Sequence, residues 1–174
     1  MEHSMGMGLG LGVLTGVAVG LLFVVVLFKM KVLDMTFDER QKRARGQAFA
    51  WGFATLVICV AVYGLSDAIL GHWIDVLAAC ILCVCIAVTV FAIVCIRKDA
   101  YLSLKERPRR IMLLFAVLAA VNLALGAIYI RNGTLVENGM LTSRACNPIT
   151  GIMLLVVLAV YAAKYLRDRK ETEE

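Results

Sequence analysis

Three groups of residues in this 174-residue chain carry side chains able to do chemistry. Cys80, Cys83 and Cys85 form a CxxCxC. In a knuckle or loop that spacing presents thiolates to zinc, and together with Cys146 it holds the thiols a redox pair needs. Asp67, His72 and Asp75, within SDAILGHWID, offer carboxylate and imidazole ligands for a divalent metal, and His3 in MEHSM is a further imidazole. Asn122 is the strongly polar side chain nearest the middle of a long apolar stretch. There a buried amide marks either a functional site or a hydrogen bond between helices.

The elements that hold these groups weigh against most of that chemistry. Cys59, Cys80, Cys83, Cys85 and Cys95 all lie inside apolar runs, where a thiolate is costly and a thiol serves as a small packing group. On a helix Cys85 points away from Cys80 and Cys83, and Cys146 has no second cysteine beside it in its loop, so neither a disulfide framework nor a metal site is expected. The Asp67/His72/Asp75 spacing matches no ligand pattern, and such residues commonly cap helix ends. Trp73 beside them reads as an interfacial anchor. A phosphate-binding loop and a paired-carboxylate pocket are both missing from the sequence. The expectation is a non-enzymatic protein with no cofactor.

Composition fixes the class. The chain is 61% hydrophobic with a mean hydropathy of +0.86, more apolar surface than a soluble domain of this size can bury. An all-α integral membrane protein is expected. Five stretches of about 20 apolar residues are long enough to cross a hydrocarbon core of roughly 30 Å: residues 8–28, 47–66, 73–96, 110–130 and 148–166. Each run is continuously apolar rather than alternating, which excludes barrel strands. The organisation read from this is an N-terminal signal-anchor helix (1–34), a four-helix up-and-down core (35–166) and a charged tail (167–174).

The basic residues set the direction. Sixteen of the eighteen Lys and Arg fall between spans one and two, between three and four, or after span five, leaving Arg131 and Arg144 for the other side. The positive-inside rule puts the sixteen in the cytoplasm, the N-terminus outside and the C-terminus inside the cell. The formal charge of +5 therefore belongs to membrane-flanking joints and gives no reason to expect nucleic acid. Residues 1–7 carry no Lys or Arg, so the first run reads as an anchor, not a cleaved signal peptide. A start at Met35 would leave four spans with the same orientation.

Within the first span Gly8, Gly12, Gly16 and Gly20 recur every four residues, about 40° apart around a helix. Such a stripe lets two membrane helices approach closely, and the stretch has too few polar side chains to line a pore. On span four, Ala119, Asn122 and Gly126 share a face expected to point into the bundle.

The second span is entered through MTFDERQKRARGQ, where Thr36 and Glu39 read as a capping box. Asp38–Lys42 and Glu39–Arg43 read there as ion pairs four residues apart, and the helix is expected to run unbroken through Gly46. Arg40 and Arg43, with Arg109 and Arg110 of the second basic joint, are the candidate contacts to anionic lipid or to an acidic partner. DERQKRARGQAF leading into an apolar span, followed by KDAYLSLKERPRR, resembles small multi-pass bacterial membrane proteins of unknown function. The resemblance covers residues 35–166 and implies a four-helix core in the cell membrane, with no known activity. In the long outer loop, Asn138-Gly139 is a type I′ hairpin signal, and Pro148 is expected at the first position of the last span.

Three functions follow, in order. The first is helix association as an accessory or regulatory subunit of a membrane system, the partner being another membrane protein or a second copy. The second is a small oligomeric transporter or channel, with Asn122 facing a lumen and Asp67 and Asp75 at its mouth. Mid-span acids and bases are absent from the sequence, which argues against proton coupling. The third is a redox or metal-binding membrane protein using Cys80, Cys83 and Cys146, or Asp67, His72 and Asp75.

Overall fold

The computed structural model describes residues 37–102 and 108–173, together with Leu22. The first span, with Gly8, Gly12, Gly16 and Gly20, lies outside the described residues, as does Thr36. Four long helices carry the fold: α1 (Glu39–Leu70), α2 (Val76–Arg97), α3 (Pro108–Arg131) and α4 (Cys146–Glu173). All four are long and apolar enough to cross a membrane.

Local signals account for most of the ends. Asp38 caps α1, its carboxylate accepting from the Gln41 backbone N–H at 2.6 Å while the Gln41 side chain accepts from the Asp38 N–H at 3.3 Å. The capping box is thus Asp38/Gln41, two residues beyond the expected Thr36/Glu39. That use of Asp38 replaces the expected Asp38–Lys42 pair, and Lys42 bonds Glu39 at 2.9 Å instead. As expected, α1 runs unbroken through Gly46. Asp75 caps α2 by accepting from Leu77 and Ala78. The proline that opens a helix is Pro108, at the start of α3. Pro148 stands third in α4, behind a short 3₁₀ turn at Ser143–Ala145 that starts the coil early. The charged residues 167–173 continue α4 as helix.

The helices stand in a row in the order α1–α2–α4–α3, because α2 packs on both α1 and α4, and α3 packs on α4. A sequential up-and-down ring, in which α2 would meet α3, is not what forms. The reason lies in where the small residues fall. Nine of the fifteen buried apolar residues among those described are alanines, so the helices touch where side chains are short, while the large apolar side chains face outward. Ala44, Ala48 and Gly52 line the α1 side of the first contact. A Cβ at Gly52 would lie 3.2 Å from the Ala87 carbonyl. Across α3 and α4, a Cβ at Gly126 would meet Pro148 at 2.9 Å, and one at Gly151 would meet Leu123 at 2.8 Å. Ala92 and Ile96 of α2 bury against Val157 of α4.

Beyond the end of α1, a small polar cap joins two loops. Val136–Glu137 and Met140–Leu141 pair antiparallel around Asn138 and Gly139, both at positive φ (52° and 78°), which is the expected type I′ turn. Leu141 also bonds the 71–75 loop, donating to the Trp73 carbonyl and accepting from the Asp75 N–H. Arg144 straps the hairpin, bonding Glu137 at 2.8 Å and the Thr134 carbonyl at 3.2 Å.

The α3–α4 approach sets a prediction. Gly126→Ala places a methyl against a proline ring that cannot rotate away, and is expected to cost about 1–3 kcal/mol. Gly64→Ala, in open space on α1, is expected to be neutral or to gain up to about 1 kcal/mol. Thermal unfolding in detergent, followed by helical circular dichroism, compares the two.

Candidate functional site

The chemistry-bearing residues that the structure brings together sit at the C-terminal end of α2. A helix ends with carbonyls that have no partner of their own. Here the turn Lys98–Ala100 returns three backbone N–H groups to the Val94, Cys95 and Ile96 carbonyls. Asp99 makes that turn at φ 55°, a left-handed conformation that aspartate tolerates better than most residues. The neighbouring helices complete the end. From α1, Gln41 donates to the Asp99 carbonyl at 2.8 Å and Arg45 to the Ala100 carbonyl at 3.1 Å. From α4, Lys164 donates to the Ile96 carbonyl at 2.9 Å and pairs with the Asp99 carboxylate. Arg45 also lies over the Phe37 ring (4.2 Å) and near that of Phe91 (5.5 Å). The Lys164 side chain is 12% exposed. Two cations thus sit at the negative end of a helix dipole, where they are favoured.

Beside this clamp, Glu39, Arg40, Arg43, Ala44 and Gln47 of α1, Arg97 of α2 and Lys98 of the turn after it line an open hollow of about 580 Å³. Arg97 also lines a second hollow, of about 320 Å³, with Lys164 and Arg167 of α4. Of the four arginines singled out from the sequence, Arg40 and Arg43 are brought together here. Arg109 and Arg110 stand exposed in the first turn of α3 and line neither hollow.

The other candidates are dispersed or already engaged. Asn122 is half-buried and donates to the Leu118 carbonyl of its own helix at 2.8 Å. Gly126, one turn on, forms the close contact with Pro148. His72 Nδ1 lies 3.0 Å from Asp67, whereas Asp75 is occupied as the α2 cap. Among the described residues no three of His, Cys, Asp and Glu gather to hold a metal. Trp73 lies in the loop before α2 and donates its indole N–H to Ser66 at 3.1 Å. All six cysteines are free; Cys80 is exposed, Cys83 buried, and Cys85 and Cys146 half-buried.

Gln41, Arg45, Asp99 and Lys164 were not expected as a group, nor were Arg97 and Lys98 as partners of Arg40 and Arg43. One signal was available. Lys164 interrupts the apolar run of α4 before the charged tail that begins at residue 167. No family model, no curated protein and no solved structure matches the chain, so the likeness carried by the DER element assigns it to no family.

Lys164→Met leaves the Ile96 carbonyl without its side-chain donor and is expected to lower stability by about 1–3 kcal/mol. Lys170→Met, exposed on the last turns of the same helix, is expected to change nothing measurable. Unfolding midpoints of the two variants in one detergent decide the matter, and equal midpoints would remove the clamp from the account.

Proposed function

We propose that the chain is an integral membrane protein that works by lateral helix association, as an accessory or regulatory subunit of a membrane assembly. The carrying observation is the outer face of α1. Among the described residues, none of the most apolar stretch of this helix is buried. On the side away from Ala44, Ala48 and Gly52 it presents Ala50, Ala54, Val57, Ala61, Gly64 and Ala68, all exposed. Their spacing alternates four and three, the repeat that keeps one seam facing a partner helix. Five of the six are Ala or Gly, the residue types that let membrane helices come close enough to gain dispersion contacts.

The same proposal includes five spans in the cell membrane, an outer N-terminus and a cytoplasmic C-terminus. Supporting this orientation, Arg40, Lys42, Arg43, Arg45, Arg97, Lys98 and Lys164 belong to the clamped end, whereas Arg131 and Arg144 belong to the hairpin end. The proposal extends to Gly8, Gly12, Gly16 and Gly20, whose spacing of four in the sequence suits a second association face.

Native mass spectrometry of the protein in nanodiscs tests the reading. Wild type is expected as an assembly, either with a second copy or with a co-purifying membrane chain, and Ala54→Trp/Ala61→Trp as a single chain. Ala120→Trp/Ala127→Trp, at exposed positions on α3, is expected to leave the mass unchanged. A wild type that is a lone chain contradicts the proposal.

A further inference from the structure

We propose that the hollow between the start of α1 and the end of α2 is a binding site for the phosphate headgroup of an anionic membrane phospholipid, held by Arg40, Arg43 and Arg97. The inference rests on the membrane reading above and is independent of whether α1 has a helical partner.

Charge makes the first argument. Four cations, Arg40, Arg43, Arg97 and Lys98, share one hollow of about 580 Å³ with a single carboxylate, Glu39. Glu39 is already paired with Lys42, which lies outside the lining, at 2.9 Å. Lys98 is held by the Gln47 side-chain oxygen. Among the described residues Arg40, Arg43 and Arg97 have no acidic partner. Like charges crowded this way repel one another unless an anion lies between them. Arginine forks match phosphate oxygens two at a time.

Position makes the second argument. Arg97 is the last residue of a 22-residue apolar helix, so its guanidinium falls at the depth of the membrane surface, where lipid phosphates lie. It also lines the adjoining hollow with Arg167, whose two acidic neighbours, Asp168 and Glu171, are both 3.9 Å away. Arg97 therefore stands between the hollow at α1 and one bordered by α4, where the lining includes the apolar Val160 and Ala163. Arginine heads above short apolar side chains suit a lipid better than a free ion. Basic hollows between membrane helices on the cytoplasmic side are a recurring way to hold anionic headgroups.

The test is native mass spectrometry of the full chain released from detergent, titrated with phosphatidylglycerol or with phosphatidylcholine of matched chains. Wild type is expected to retain phosphatidylglycerol preferentially. Each arginine removed is expected to weaken retention about fivefold, so Arg40→Gln/Arg43→Gln/Arg97→Gln loses on the order of a hundredfold. Arg109→Gln/Arg110→Gln is expected to keep wild-type retention. Equal retention of the two lipids, or equal loss in the triple variant and the α3 control, overturns the proposal. Displacement of the lipid by excess inorganic phosphate also overturns it, because the site would then be one for a soluble anion. If the triple variant fails to fold, Arg97→Lys against Arg97→Gln decides: the lysine keeps the charge but not the fork, so it is expected to bind more weakly than wild type and more tightly than the glutamine, and equal behaviour of the two contradicts the site. The same spectra report chain number, so a failure of the association reading is seen separately from a failure of lipid binding.

Discussion

The structure depends on how the C-terminal end of α2 is closed. That helix packs on both α1 and α4, and its last carbonyls have no partners further along the helix. Lys164 of α4 donates to the Ile96 carbonyl within the helix, and Gln41 and Arg45 of α1 donate to the Asp99 and Ala100 carbonyls of the turn that follows it. Each donor lies far from α2 in sequence, so the bonds that finish one helix also fix its two neighbours at the same end. Asp99 holds the left-handed turn that exposes these carbonyls, and its carboxylate offsets the charge of Lys164. At the far end the hairpin does the equivalent work with backbone bonds, tying Leu141 to the 71–75 loop. The row is therefore pinned at both ends and packed on small residues between them.

Packing on small residues has a functional consequence. Alanine and glycine contacts bring helix axes together but leave the large apolar side chains pointing outward, so the four described helices form a row and not a closed ring. Among the described helices, α1 and α3 each pack on one neighbour. In lipid an uncovered apolar side is not costly, and burial alone therefore does not demand a partner. The outer face of α1 differs from a merely lipid-facing surface in having small residues at a repeat suited to a second helix. It is this regularity, and not exposure, that favours association over isolation.

Much of the architecture was legible in the sequence. Apolar runs of the right length located four helices, because a spanning helix must be continuously apolar. Asn138-Gly139 foretold the hairpin, because both positions need positive φ. The order of the helices was not legible: it depends on which alanines face which, and alanine is scattered through every span. The α1 cap was misplaced by two residues because Thr36 and Asp38 are both competent caps, and local pattern does not choose between them. Asn122 was expected to reach across the bundle, but an amide on a helix has the carbonyl four residues back always within reach. The clamp escaped notice for another reason. Arg45 and Lys164 look like ordinary membrane-flanking charges until the turn at Asp99 presents carbonyls to them, and the same holds for Arg97 beside Arg40 and Arg43.

The central claim is that the outer face of α1 meets another helix. Photo-cross-linking in native membranes, from a photoactivatable thiol reagent attached to single cysteines introduced into a chain whose own six are replaced, reads that contact directly. The account predicts ready cross-linking, to a second copy or to a partner chain, from Ala54→Cys and Ala61→Cys, and none from Val84→Cys, which opens on the groove between α1 and α2. Cross-linking from all three alike, or from none, would mean that α1 faces only lipid.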